Sequence, residues 1–421
     1  MKRFIIIFLS VIIIVSHACK STGDDEITVF ILAAEVTNRE ARNVVIDNTA
    51  REIAFDLARS ESKMGVNIKL TLADGVSMVS PKGEQDDYNL LFPTEIELSA
   101  GDRQIVFTVK AGVYDPILQL LDPAEKGWVQ QTTFGDLKNG ITIYKSPPTF
   151  KGKNIVAYIA LGDVNAGVNF HVLGEVSGSK TPAKFYNDTN QEYPVMINGT
   201  YFWNDGSTNH NVGLIYRNGV RIAPGSRSVI RSDGAADATF YPTKGAFSDL
   251  GNRQYRTDWT YTTASPEVTY AYPAPAPNKA GAVPCPVPSA AYPAGGWGFQ
   301  AQTSIGAGPV LTKNGTIVNT WEAETWDNIS GVGPTANNPR TAIGFTADKR
   351  ILFFVCEGRN QTPSTPGLTL QDVAELLLEI GCVELLNLDG GGSSCMLVNG
   401  KETIKPSDGT QRNVVTAIGM K

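Results

Sequence analysis

Thr369-Leu370-Gln371-Asp372-Val373-Ala374-Glu375-Leu376-Leu377-Leu378-Glu379-Ile380-Gly381 opens the stretch on which the fold turns, and Cys382 to Leu388 with Asp389-Gly390-Gly391-Gly392-Ser393-Ser394 completes it. Thr369 with Asp372 three residues on has the form of a helix N-cap, and Leu370, Val373, Leu377 and Ile380 recur at helical spacing. Gly381 is a stop signal, so the pattern predicts a helix over 370–380. Val383 to Leu388 is apolar enough to read as a buried strand, delivering Asp389 and three glycines to its carboxyl end.

Outward from that stretch, Asn-Gly pairs stand between apolar runs three times, at Asn218-Gly219, Asn314-Gly315 and Asn399-Gly400. This dipeptide supplies the positive φ angles of a type I′ turn, so three antiparallel hairpins are expected. Upstream, from Glu26 to about Ala111, apolar residues alternate in period two: Ile53, Phe55 and Leu57; Val66, Ile68, Leu70 and Leu72; Ile105, Phe107 and Val109. That patterning suggests an all-β immunoglobulin-like sandwich over 27–114, acting as a spacer or interaction module. A larger mixed catalytic domain is expected over 115–421, making the whole chain α+β. Prolines across 262–298, as in Tyr272-Pro273-Ala274-Pro275-Ala276-Pro277, predict an irregular excursion rather than sheet. Its aromatic residues either stack on sugar rings or pack among themselves in a surface flap.

The 421 residues exceed one ordinary core, so two domains are expected. Charged residues make up 19% and hydrophobic residues 42%, a globular balance, and the net charge of −6 offers no basic field for nucleic acid. Lys2 and Arg3 precede an apolar run from Phe4 to Val15 that is too short to span a membrane and reads as an export signal over 1–18. Ser16-His17-Ala18-Cys19 is similar to a bacterial lipobox, with Cys19 as the lipidated residue and a tether over 19–26. A lipid-anchored location in the cell envelope, on a periplasmic or surface face, follows. Cys285, Cys356, Cys382 and Cys395 show no C-x-x-C pairing and are as readily buried thiols as disulfides; with three histidines in all, a His-rich zinc site is not expected.

Three groups of residues have the types that carry chemistry. Asp389 precedes a glycine loop whose amides could converge on an anion, with Ser393 and Ser394 as hydroxyl donors; the alternative is a turn in which Asp389 caps nearby amides. Arg340 and Arg359, with Glu357, flank adjacent strand ends and suit a phosphate, or else form an idle surface ion pair. Asn198 ends an apolar strand before Tyr201, placed either to orient a substrate hydroxyl or to bracket a turn.

Taken in order, Asn198-Gly199-Thr200-Tyr201-Phe202, the Gly306 to Leu311 segment, Arg340-Thr341-Ala342-Ile343-Gly344, Gly367-Leu368-Thr369-Leu370 with Ala374, and Leu388-Asp389-Gly390-Gly391-Gly392-Ser393-Ser394 resemble the phosphodiester glycosidase family over roughly 150–421. The resemblance implies hydrolysis of the bond between a sugar, such as N-acetylglucosamine, and a phosphodiester. It implies Asp389, Glu357, Arg340 and Asn198 as catalytic residues. Arg359, Gly390, Gly391, Gly392, Ser393, Ser394, Tyr201 and Thr341 would hold the substrate and its phosphate. No cofactor is required by this reading, although a divalent cation is left open. Two rivals stand beside it: a glycan-binding surface lipoprotein without turnover, and a metal-dependent phosphodiesterase cutting on the phosphorus side.

Overall fold

The computed structural model describes residues 27–38, 41–58, 66–80, 88, 90, 93–114, 122–225, 243–263, 266–276, 288–292, 295–326 and 331–421; the export signal, the tether and Cys19 lie outside them. The chain divides into two compact units, 1–117 and 118–421.

In the first unit the alternation read from the sequence becomes two sheets over one core. Strands Ala41–Asp47, Glu52–Ala58, Arg103–Tyr114, Thr94–Ala100 and Val76–Ser80 form a five-stranded sheet in that order, and Ile31–Val36 pairs with Ile68–Leu72 in a second. Ile53, Phe55, Leu57, Ile105, Phe107 and Val109 all point into the shared core beside Ile31 and Ile68. One pair, Glu52–Ala58 with Arg103–Tyr114, is parallel, which a plain succession of hairpins does not produce.

The second unit is β-rich. Among its described residues the α-helices are Pro182–Asp188 and Leu370–Leu378, which is less helix than an evenly mixed α+β domain implies. Its main sheet has eight strands in the order Thr316–Ile317, Val310–Lys313, Cys382–Asn387, Arg340–Thr346, Arg350–Cys356, Ala157–Asp163, Ile141–Lys145 and Val129–Gln130. A five-stranded sheet is built around Val195–Asn198 and Thr416–Met420, and a seven-stranded sheet around Thr303–Ala307 and Lys244–Asp249. Side chains of all three sheets meet in one core: Ile343, Phe353 and Leu386 from the first, Ile197 and Ile418 from the second, and Ile215, Phe247 and Ile305 from the third. The opposite face of the main sheet presents Ala342, Leu352, Phe354 and Leu385 to Leu370, Val373, Ala374 and Leu377 of the helix. The main sheet is thus covered on both faces, which is why every residue of Cys382–Asn387 is buried. Each such Leu, Ile, Val or Phe contributes about 1.5–3 kcal/mol of burial.

The Asn-Gly hairpins form as expected, with φ of 51° and 78° at Asn218 and Gly219, 51° and 73° at Asn314 and Gly315, and 46° and 76° at Asn399 and Gly400. The Pro/Tyr-rich stretch corrects the expectation for 262–298, because Thr269–Tyr272 is a ladder strand on Tyr255–Thr262 and itself pairs with Trp297–Gly298. The prolines lie outside Thr269–Tyr272, before it at Pro266 and after it from Pro273 on, and so leave the ladder donors of that strand intact. Of its aromatics Tyr272 turns inward: it is buried with Tyr261, and its hydroxyl donates to Ser289 O at 2.9 Å.

The helix at Leu370 starts with a capping box in which Thr369 Oγ1 accepts from Asp372 N at 3.1 Å and Asp372 Oδ2 accepts from Thr369 N at 3.0 Å. Thr369→Ala is expected to lower stability by about 1 kcal/mol, while Thr369→Ser retains it, as read by thermal unfolding.

Candidate active site

Three neighbouring strand ends of the main sheet make one edge. Arg340 is paired with Cys356 on one side, Leu388 N donates to Thr341 O at 2.9 Å on the other, and so Glu357 and Asp389 flank Arg340. The five-stranded sheet delivers Asn198 to the same edge, where Asp389 N donates to Gly199 O at 3.1 Å. Gly358 and Gly390 both lie against Pro339, where a Cβ on either would come within 2.8 Å of backbone.

Asp389 is half-buried as a residue, while its carboxyl lies deep among protein atoms. Burial pushes that carboxyl up to about 6, against downward pulls from the Ser393 hydroxyl, the Arg412 charge and the Gly390 amide. Ser393 and Ser394 are 2% and 1% exposed, yet neither hydroxyl completes a hydrogen bond, and Ser393 Oγ approaches Asp389 without full bonding geometry. Glu357 is also buried: its Oε1 accepts from Lys405 N at 3.0 Å, while its Oε2 has no partner. Asn387, two residues before Asp389, donates to Tyr201 Oη at 2.7 Å and leaves its own Oδ1 unpaired. Of the six buried side-chain atoms lacking a partner among the described residues, four therefore belong to this edge, and the remaining two are on Asn319 and Arg350. Buried polar atoms are ordinarily bonded, so a cluster of exceptions marks a place where a ligand supplies the partners.

Other expected site residues turn out to be ties, which corrects the roles read for them. The guanidinium of Arg340 is 2% exposed and donates to four backbone carbonyls: Leu368 O at 2.9 Å, Val332 O at 2.8 Å, Gly333 O at 2.7 Å and Ala336 O at 2.8 Å. Donors so committed cannot grip a phosphate, and Arg340 instead fastens two loops to the strand end. Burial lowers its pKa. Asn198, fully buried, donates to Asp389 O at 2.7 Å and accepts from Thr341 Oγ1 at 2.8 Å and Cys395 N at 3.1 Å. Asn198 and Thr341 therefore position the Asp389 loop and present no polar group to substrate.

The glycine loop is corrected as well. Gly391 N donates to Pro339 O at 3.0 Å, Ser393 N to Gly390 O at 3.1 Å and Ser394 N to Gly391 O at 3.2 Å, closing a single 3₁₀ turn over Gly391–Ser393. The amides of Gly391, Ser393 and Ser394 are thereby used and do not turn to an anion. Tyr201 donates its hydroxyl to Gly308 O at 2.9 Å, and its ring packs on Trp326 with centroids 4.7 Å apart. Burial and the Asp389 charge push its pKa well above the usual 10. Arg359 stays open, with 47% of its side chain exposed.

His210 lies one hairpin away, stacked on the exposed Trp203 at 4.5 Å with its Nε2 2.8 Å from Asp205 Oδ2. Cys356, Cys382 and Cys395 are buried thiols, with Cys356 pushed up to about 12 by burial. Cys285 lies outside the described residues. No group of three or more His, Cys, Asp or Glu among the described residues is arranged to hold a metal ion.

Sequence reading missed Asn387, Asp408 and Arg412. Asn387 carried a signal, a carboxamide inside an apolar run, whereas the other two reach the site through a loop whose course no local pattern encodes.

With this geometry in hand, comparison with known proteins decides the family. The model of the phosphodiester glycosidase family matches residues 191–421. The chain belongs to that family. Similar proteins include an SPbeta prophage-derived uncharacterized protein of Bacillus subtilis, 34% identical over 118 residues, covering 28% of this chain and 17% of the relative. Human N-acetylglucosamine-1-phosphodiester alpha-N-acetylglucosaminidase is 33% identical over 110 residues, 25% of this chain and 21% of that protein. The chain thus spans about a fifth of the length of these curated relatives. Among solved structures, the zebrafish N-acetylglucosamine-1-phosphodiester alpha-N-acetylglucosaminidase catalytic domain, auto-inhibited by its pro-peptide, superposes with a TM-score of 0.44 at 15% identity over 71% of this chain and 90% of that one. A protein from Synechocystis gives 0.45 at 14% over 92% and 80%.

Two outcomes test the geometry of this site. Arg340→Ala takes the donor from four carbonyls, two of which, Leu368 O and Gly333 O, keep a backbone donor in Asn338 N and Ala336 N, and it is expected to lower the melting temperature by roughly 5–10 °C. Asp389 has a folded pKa above its unfolded one, so its ionised form is the disfavoured one: wild-type stability falls as pH rises from about 4 through about 6 and is level beyond. Asp389→Asn should remove that fall, its stability gain over wild type appearing across the same window in pH-dependent melting curves.

Proposed function

We propose that this phosphodiester glycosidase hydrolyses the bond between the anomeric carbon of a sugar, such as N-acetylglucosamine, and a phosphodiester oxygen on extracytoplasmic glycans or glycoconjugates. The observation that carries this reading is the pair of unpartnered, buried Ser393 and Ser394 hydroxyls beside a carboxyl whose pKa burial has raised to about 6. A general base near that value is balanced between holding and releasing a proton close to neutrality. Asp389 takes a proton from water as the water oxygen bonds to the anomeric carbon. The bond between the anomeric carbon and the phosphodiester oxygen breaks, and its electron pair leaves on that oxygen with the phosphate monoester. The charge of that leaving group is met by Arg359 and the serine hydroxyls, so strong acid assistance is not needed. Glu357 Oε2 faces the positive charge that develops on the sugar ring. Tyr201 bounds the sugar, while Asn198, Thr341 and Arg340 hold the strand ends in place.

The leader-like start and Cys19 support export and a lipid anchor in the cell envelope, with the first unit, read as an immunoglobulin-like sandwich, acting as a spacer.

Incubation with a panel of sugar-1-phosphodiesters, assayed by reducing-sugar release, tests the activity. Turnover is expected, with kcat/KM falling about tenfold per unit below pH 6 as Asp389 is protonated. Arg359→Ala should reduce turnover of the diester about tenfold or more relative to an uncharged aryl glycoside of the same sugar. Binding without turnover would favour the glycan-binding alternative, and equal losses on both substrates would remove Arg359 from the phosphate.

A further inference from the structure

The loop following Lys401–Glu402 lays Asp408 and Arg412 onto the glycine turn, and neither has a role in the reaction described above. The Asp408 carboxylate sits between guanidinium groups from two distant segments. Arg412 grips its Oδ2 through Nε at 3.0 Å and Nη2 at 2.6 Å, and Arg359 Nη1 stands 3.6 Å from Oδ1. The cluster is pressed against the turn that carries Ser393 and Ser394. A Cβ on Gly391 would fall 2.8 Å from Arg359 Nη2, and one on Gly392 would fall 2.1 Å from both Arg412 Nη2 and Asp408 Oδ2. Glycine at these two positions is what allows three charged side chains to lie against that turn, next to two buried hydroxyls lacking partners.

A guanidinium fork binds phosphate oxygens with the geometry it uses for a carboxylate. We propose that Asp408 is a placeholder: its carboxylate occupies the seat of the substrate phosphate between Arg359 and Arg412, and a bound phosphate displaces it. The proposal rests on the phosphodiester reading and deepens it by adding Arg412 as a second phosphate ligand. Two arginines and one carboxylate leave one positive charge, and the exchange replaces one anion by another. Displacement is easy because the three side chains are 47%, 41% and 36% exposed, where ion pairs are weak. The Asp408 turn is tethered at its neighbour, where Gln361 Nε2 donates to Ser407 O at 2.8 Å, so the carboxylate can swing away without release of the loop.

Titration calorimetry with inorganic phosphate as the probe, on the full chain, tests this without requiring turnover. Asp408→Asn should bind phosphate about five-fold more tightly than wild type, because the internal competitor is gone. Arg412→Ala should bind it about tenfold more weakly, and the double variant should lose the gain. Asp408→Ser serves as a second removal of the charge, with melting curves confirming that each variant is folded. Unchanged or weaker binding in both Asp408 variants, or wild-type binding in Arg412→Ala, overturns the proposal. A protein that shows the expected binding pattern yet releases no sugar would instead refute the catalytic reading and leave the phosphate seat standing.

Discussion

The side chain of Asn198 is the tie on which the rest of the site depends. From the end of a strand in the five-stranded sheet it reaches the start of Arg340–Thr346, the backbone of Asp389 and the amide of Cys395. One fully buried carboxamide therefore holds two sheets and both ends of the glycine loop in register. Removing it would orphan a hydroxyl, an amide and a carbonyl, each costing about 1–3 kcal/mol. Arg340 does the complementary work from the other side, binding carbonyls of the 332–336 and 368 segments to the strand end. The position of Asp389 is thus a consequence of polar groups that never need to meet a ligand.

That division explains what could be read in advance. The helix at Leu370, its Thr369 cap and the Asn-Gly hairpins were legible because their causes lie within a few residues of one another. The strands of the first unit were legible from alternation alone, although the parallel pairing of Glu52–Ala58 with Arg103–Tyr114 was not. The convergence of Asn198, Arg340, Glu357 and Asp389 followed from the ordered motifs of the family resemblance. Their separate jobs did not, because whether a guanidinium faces solvent or four carbonyls is set by loops distant in sequence. The same limit applies to the glycine loop, where permission for an anion nest and permission for a tight turn are the same three residues. Asp408 and Arg412 lie in a polar loop with no periodic pattern.

The motifs that this chain shares with the phosphodiester glycosidase family therefore separate into a frame and an opening. Asn198, Thr341 and Arg340 spend their polar atoms within the protein, and close packing at Gly358 and Gly390 excludes any larger residue. Glu357 Oε2, Asn387 Oδ1 and the two serine hydroxyls are left over at the same sheet edge as a carboxyl kept away from its usual ionisation by burial. A rigid frame lowers the reorganisation needed when charge develops, which is how such a site stabilises a transition state.

The most direct measurement of the central claim is the fate of oxygen during turnover of a sugar-1-phosphodiester in water enriched in oxygen-18. Attack at the anomeric carbon beside Asp389 predicts that the label enters the released sugar and that the phosphate monoester carries none. Label found in the phosphate, with the sugar oxygen unchanged, would mean that the phosphorus–oxygen bond is cut and would contradict the account.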